Sequence, residues 1–214
     1  MRKFCLTIIV LAGFSKALFA QFGNCTASEM QTYTDRETGN TITILTDTLK
    51  NDRFLYQTDP MWTHDGKYLL FRSSSRANDK KIERTLPNGE KRSWTPTQIY
   101  FIEMATGQII QATEGPDLGS AFLANKSNRM FISRKEKEDW NMYVMDLDKF
   151  FADVKKGKVG KPTAYETLLG TFPTSMGRPG GYAIDCNDDY AYITVEREGT
   201  EEEKQAKKDE ILAN

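Results

Sequence analysis

Short apolar runs separated by turn residues recur along this chain. Met61–Arg72 reads MWTHDGKYLLFR: an apolar pair, the dipeptide Asp65-Gly66, then a run of large apolar side chains. Asp-Gly between apolar runs is hairpin chemistry, because Gly tolerates positive φ and Asp bonds its own backbone. The pattern predicts strands over Pro60–Thr63 and Lys67–Arg72. Two more follow at Gln98–Met104 and Gln108–Thr113, around a turn at Ala105-Thr106-Gly107. Together they make a four-stranded antiparallel meander. Upstream, Thr41–Thr46 alternates β-branched and apolar residues as a strand does. Gln21–Thr41 reads as a polar lead-in with turns, Leu49–Asp59 as a connection and Ser73–Trp94 as a long polar excursion.

The design returns twice. Gly119–Ala124, a turn at Asn125–Asn128 and Arg129–Ser133 open a second unit; a charged loop Arg134–Asp139, a strand Trp140–Leu147, a basic Gly-rich stretch Lys149–Pro162 and a strand Thr163–Leu169 complete it. A third opens at Gly181–Ile184, turns at Cys186–Asp189 and runs out through Tyr190–Glu196. Trp62, Leu123 and Ile184 correspond, as do Phe71, Ile132 and Ile193, each pair 61 residues apart. A repeated four-stranded meander is the signature of a β-propeller, so an all-β chain with about three blades is expected; a β-sandwich with coincidental spacing is the alternative. Thr200–Glu203 fits a capping box and predicts a charged helix in the tail. Trp62, Phe71, Phe122 and Tyr182 are expected in the core.

Composition is that of a globular protein, 39% hydrophobic and 28% charged. Residues 1–20 have the form of a signal peptide, with Arg2 and Lys3 before an apolar run from Cys5 to Phe14 that is too short to cross a bilayer as a helix; a buried first strand or helix is the alternative. The expected organisation is a signal peptide over 1–20 and the N-terminal part of a propeller over 21–214, exported to the periplasm or beyond the cell, with no membrane span after cleavage. Without Arg2, Lys3 and Lys16, 26 basic residues stand against 30 acidic ones, net −4. That balance is not a nucleic-acid footprint. Cys25 and Cys186 would remain, to pair or to stay free as geometry decides. Asn24-Cys25-Thr26 and Asn125-Lys126-Ser127 match the glycosylation triplet.

In an up-and-down meander successive connections alternate between two ends of the sheet. Tight turns, His64 among them, gather at one end; the long loops Ser73–Trp94, Arg134–Asp139, Gly115–Gly119 and Phe172–Gly180 gather at the other, where function is more often carried. His64, the single His, reads as a turn residue with no second His to complete a metal set. Arg72, Ser74 and Arg76 are the first candidates for ligand contact, because a guanidinium matches a carboxylate in two-pronged fashion and hydroxyls bond sugars. Arg134 and Arg178 lead into loops at the same end, and Tyr56 and Gln57 precede the first blade. No nucleophile–base pair, phosphate-cradling loop or Cys/His metal spacing is legible.

Tyr56-Gln57 with Trp62–Phe71, Ile99–Gly107, Gln111–Gly115 and Met142–Leu147 resembles the N-terminal blades of the oligogalacturonate lyases. Part of the pattern also occurs in Tol-system propellers and in the propellers of prolyl-peptidase-type enzymes. The resemblance, over about Thr41–Glu198, implies a seven-bladed propeller that cleaves short α-1,4-galacturonides from pectin by β-elimination. It implies an acidic oligosaccharide as partner, and a divalent metal, typically manganese, whose ligands are mostly His of later blades and are not carried by this chain. His64 does not match them. About three units are present, so the expectation is the N-terminal part of a longer protein or a truncated gene product, without its catalytic centre. The other reading is a non-catalytic exported propeller that binds a protein or a glycan.

Overall fold

The computed structural model describes residues 22–76, 81–85, 89–115, 118–137, 139–172, 178–196, 199–200, 202–203, 205 and 209. The strands are β1 (Cys25–Thr26), β2 (Gln31–Thr34), β3 (Thr41–Ile44), β4 (Asp52–Arg53), β5 (Tyr68–Ser73), β6 (Ile82–Thr85), β7 (Lys91–Trp94), β8 (Gln98–Glu103) and β9 (Ile109–Gln111). They continue with β10 (Leu118–Leu123), β11 (Arg129–Glu136), β12 (Asp139–Asp146), β13 (Glu166–Phe172), β14 (Arg178–Ile184) and β15 (Ala191–Glu196), with helix α1 (Leu147–Lys155) between β12 and β13. Blade one is the antiparallel sheet β1-β9-β8-β5-β4, blade two is β10-β11-β12-β13, and β14-β15 begin a third. This is an open, propeller-like all-β arrangement, as the repeat predicts.

The repeat is visible in the hydrogen bonds. Trp62 pairs with Leu69, Leu123 with Met130 and Ile184 with Ala191, each pair displaced by 61 residues from the one before. The amides of Thr63, Ala124 and Asp185 donate to the carbonyls of Tyr68, Arg129 and Tyr190 at 3.0, 2.9 and 3.0 Å, closing the same tight turn three times.

Neighbouring turns are tied to each other. His64 Nδ1 lies 2.9 Å from the Asn125 carbonyl oxygen, and the Asp65 amide donates to Asn128 Oδ1 at 3.2 Å. One blade further on, the Asp188 carboxylate accepts from the amides of Asn125 (2.6 Å) and Lys126 (2.8 Å) and from Ser127 Oγ (3.0 Å). Its side chain is 1% exposed. Burial pushes its pKa up, but the donors outweigh burial and hold it below the ordinary value. Asp188 also has φ of 64°, at the repeat position of Gly66 (φ 68°); Asp tolerates this region better than most residues.

The sequence reading differs from the fold in several places. The predicted strand Pro60–Thr63 is one bridge at Trp62, which leaves Trp62 47% exposed rather than in the core; β4 takes the rest of that sheet edge. The lead-in holds β1 and, with the predicted strand at Thr41, the hairpin β2–β3; the polar excursion holds the hairpin β6–β7; the loop at Arg134 is a continuous β11–β12 hairpin with φ of 58° at Lys137. The basic stretch Lys149–Pro162 is helical at its start: α1 begins at Leu147, the last residue of the predicted strand Trp140–Leu147, and runs to Lys155. Leu147, Phe150, Phe151 and Val154 recur at helical spacing and are buried, and Asp146 caps the helix by accepting from the Lys149 amide at 2.9 Å. Cys25 and Cys186 are both free and exposed. The capping box holds as predicted: the Thr200 amide donates to Glu203 Oε2 at 2.7 Å and the Glu203 amide to Thr200 Oγ1 at 3.2 Å.

Blade one buries both faces. Toward blade two, Tyr68, Leu70 and Phe101 pack with Leu123, Met130 and Ile132, and α1 seals the joint: Phe151 stacks on Tyr68 at 3.6 Å and Phe150 meets Phe22 at 5.0 Å. On the far face Phe71, Tyr100, Ile102 and Ile109 are covered by Met30 and Leu45, which flank β2–β3. A single guanidinium pins that cover. Arg76 donates Nε to Asp52 Oδ1 at 2.9 Å and Nη1 to Glu29 Oε1 at 2.9 Å, while Nη2 reaches both carboxylates at 2.6 Å. Its side chain is 6% exposed and lies over the Phe71 ring at 5.4 Å. Its bonds to Glu29 hold that carboxyl at a pKa of about 2.

Replacing Arg76 by Met leaves two largely buried carboxylates unpaired and is expected to destabilise the fold by about 3 kcal/mol in urea unfolding. Asp188→Asn keeps the backbone preference and removes the charge that three donors share, for a loss of about 2 kcal/mol. Glu29 and Asp188 both have folded pKa values below their unfolded ones. Their contribution is therefore complete above the ordinary carboxylate range and is lost as pH falls through the folded values, near 2 for Glu29. The wild-type unfolding midpoint is expected to fall more steeply between pH 5 and 2 than that of either variant; parallel curves would contradict the assignment.

Candidate functional site

At the loop end of blades one and two, opposite the stitched turns, lies a cavity of about 530 Å³. That is within the range of ordinary ligand pockets. Its floor comes from β4 and β5. Arg53 and Arg72 are direct cross-strand partners there, so two guanidiniums rise side by side. Both are exposed. Like charges placed opposite each other on a sheet repel, which makes the pair a poor structural choice and a good receptor for negative charge. Arg53 Nε donates to Asn51 Oδ1 at 3.3 Å; among the described residues Arg72 has no hydrogen-bond or ion-pair partner. Asp59 is the one acid in the lining.

The walls mix hydroxyls, amides and rings. Asn51 Nδ2 donates to Ser74 Oγ at 2.7 Å, and the Asn51 amide to Ser75 Oγ at 2.8 Å, which fixes the loop that leaves β5. Tyr56 (68% exposed) and Trp94 (42%) offer ring faces at the rim, and Phe122 closes the side toward blade two. The opposite wall is β10, which packs on β11 and β12 of its own blade at Gly119, where there is no room for a side chain. A Cβ there would collide with Ser133 Oγ and meet the Trp140 ring at 2.7 Å.

Three of the residues singled out in the sequence meet here: Tyr56, Arg72 and Ser74. Four do not. Arg76 is the clamp described above, with its donors committed to Glu29 and Asp52. Arg134 forks onto Glu166 at 3.0 and 2.9 Å and lies over Tyr143 at 5.4 Å; burial works against its charge, but Glu166 outweighs burial and raises its pKa. Gln57 sits in a turn outside the cavity lining. Arg178 opens β14, and its side chain lies outside the described residues.

The sequence reading missed Arg53 and Trp94. Arg53 belongs to a two-residue strand, too short to carry a period. Trp94 carried a usable signal: Pro87-Asn88-Gly89 is turn chemistry between two short segments of similar length, and it would have placed Trp94 at the base of an arm rather than in an excursion.

The residues described do not fit a manganese site. No group of three or more His, Cys, Asp or Glu comes together among them, and His64 Nδ1 is engaged with the Asn125 carbonyl at the turn end, away from the cavity.

No protein-family model matches the sequence, and no curated protein matches it. Solved structures do. An oligogalacturonate lyase in complex with manganese and an oligogalacturonate lyase from Vibrio parahaemolyticus each match with a TM-score of 0.53 and 20% identity. Each match covers 78% of this chain and 35% of the lyase, so the chain spans about a third of the length of these structures. The likeness is one of fold: the blades of this chain are arranged as blades of those propellers are.

Proposed function

We propose that this chain is the N-terminal part of an exported protein that binds short acidic oligosaccharides, galacturonides of pectin, in the cleft between its first two blades. One observation carries the reading: the acid-poor pair Arg53–Arg72, flanked by the rings of Tyr56 and Trp94, in a cavity of about 530 Å³. A uronide offers one carboxylate per sugar and an apolar ring face, and this cleft offers a fork for each of two carboxylates and rings to lie against. The fold likeness to oligogalacturonate lyases supports the same ligand class.

In the whole protein the corresponding reaction is β-elimination. A base removes the proton at C5, negative charge grows on the adjacent carboxylate, and the bond to the leaving oxygen at C4 breaks. Arg72 and Arg53 would bind that carboxylate and stabilise the growing charge, a contribution that increases toward the transition state. The proton transfer is assigned to no residue described here. A divalent metal such as the manganese of the neighbouring structure would supply Lewis-acid stabilisation, held by groups outside the described set.

Digalacturonate titrated into the protein by calorimetry is expected to bind, and the neutral digalactose is not. Arg72→Ala and Arg53→Ala should each weaken binding by at least about tenfold, since a charged hydrogen bond is worth roughly 1.5–3 kcal/mol. Unchanged affinity in both variants, or equal binding of the neutral sugar, would remove the basis of this reading.

A further inference from the structure

We infer that the β6–β7 hairpin is a second, outer subsite that extends the cleft along a longer acidic chain. This rests on the reading of the cleft as a uronide site and goes beyond it in assigning a chain-length preference to a named element.

The hairpin is a two-stranded sheet of its own, inserted between β5, which ends at Ser73, and β8, which begins at Gln98. Among the described residues it has no sheet neighbour to stabilise, and β7 is exposed along its whole length. Between 81 and 94 the sequence has four basic residues, Lys81, Arg84, Lys91 and Arg92, against Glu83 and Glu90. The register is Ile82 with Trp94, Glu83 with Ser93, Arg84 with Arg92 and Thr85 with Lys91. Side chains two apart on a strand share a face, and neighbours in sequence face opposite ways.

Trp94 lines the cleft, which identifies the face of the hairpin turned toward the ligand. Arg92 shares that face, about 6.6 Å further out along the strand. Lys91, next to it in sequence, is on the other face. Arg92 is 65% exposed and touches Glu90 through Nε alone, at 3.2 Å. An exposed pair of this kind holds loosely and leaves the outer guanidinium nitrogens to another carboxylate. From the Arg53–Arg72 floor, over the Trp94 ring, to Arg92, cation, ring and cation follow one another outward. A polymer with a carboxylate on every sugar can follow that line; a dimer fills only its inner end.

The opposite faces of Arg92 and Lys91 provide the test. Digalacturonate and hexagalacturonate are titrated into the wild type and into the Arg92→Glu and Lys91→Glu variants, which carry the same charge change at adjacent exposed positions. The wild type is expected to bind the hexamer at least about fivefold more tightly than the dimer. Arg92→Glu should abolish that gain while dimer affinity changes less than twofold, and Lys91→Glu should keep it. Equal wild-type affinity for the two lengths, or equal losses in the two variants, overturns the outer subsite and leaves the cleft reading standing. Failure of the wild type to bind either oligomer overturns both.

Discussion

Everything else in this molecule depends on one contact repeated from blade to blade: a tight turn gives up its backbone hydrogen-bonding groups to side chains of a neighbouring turn. A meander on its own has two apolar faces and no means of choosing the angle at which the next meander packs. Here the Asp188 carboxylate collects two amides and a hydroxyl from the turn 125–128, and that turn in turn receives His64 and supplies Asn128 to Asp65. Such bonds are directional, and those to Asp188 are partly buried, so they fix the angle that burial of apolar surface alone leaves loose. The turn ends are tied, and the cavity lies at the other end of the strands. The opening between blades one and two at that end is the cleft.

The cleft and the stitch thus sit at opposite ends of the same strands, and this separates their demands. β5 runs from Tyr68, whose ring stacks on Phe151 in the joint, to Arg72 at the cavity floor. Its inner part is held on both faces, by α1 and blade two on one side and by the cover at Met30 and Leu45 on the other. Arg72 therefore stands on a rigid support. Two cations placed opposite each other are tolerated where the strand cannot yield, and on the proposed reading a uronide carboxylate would relieve the repulsion between them.

What could be read from the residues alone follows from how each feature is encoded. The 61-residue repeat was legible because tight turns need particular residues at particular places, and Asp65-Gly66, Asn125–Asn128 and Cys186–Asp189 supply them at matching places. Of the residues singled out in the sequence, Tyr56, Arg72 and Ser74 share the lining of one cavity. Arg76 and Arg134 could not be told apart from Arg72 in the sequence, since all three leave strands into loops. Their partners Glu29, Asp52 and Glu166 lie 24 to 47 residues away, and no local pattern announces such a pairing. Helix α1 was missed for another reason. Leu147 ends one alternation and begins another, and the helical spacing of Phe150, Phe151 and Val154 shows only if counting restarts there.

Arg76 has a consequence for the chain as a mechanical object. It ties residues 29 and 52 to 76, so the segment that covers the far face of blade one is closed into a loop, as a disulfide would close it. The two free cysteines take no part in this. A covalent cross-link shortens the unfolded chain as well as the folded one, and yields to reductant. This tie exists only while the chain is folded and ignores reductant. Its one acid-sensitive point is Glu29, whose carboxyl Arg76 holds at a pKa of about 2, so the tie at that end survives until the medium is strongly acidic and is made again when the Glu29 carboxylate returns.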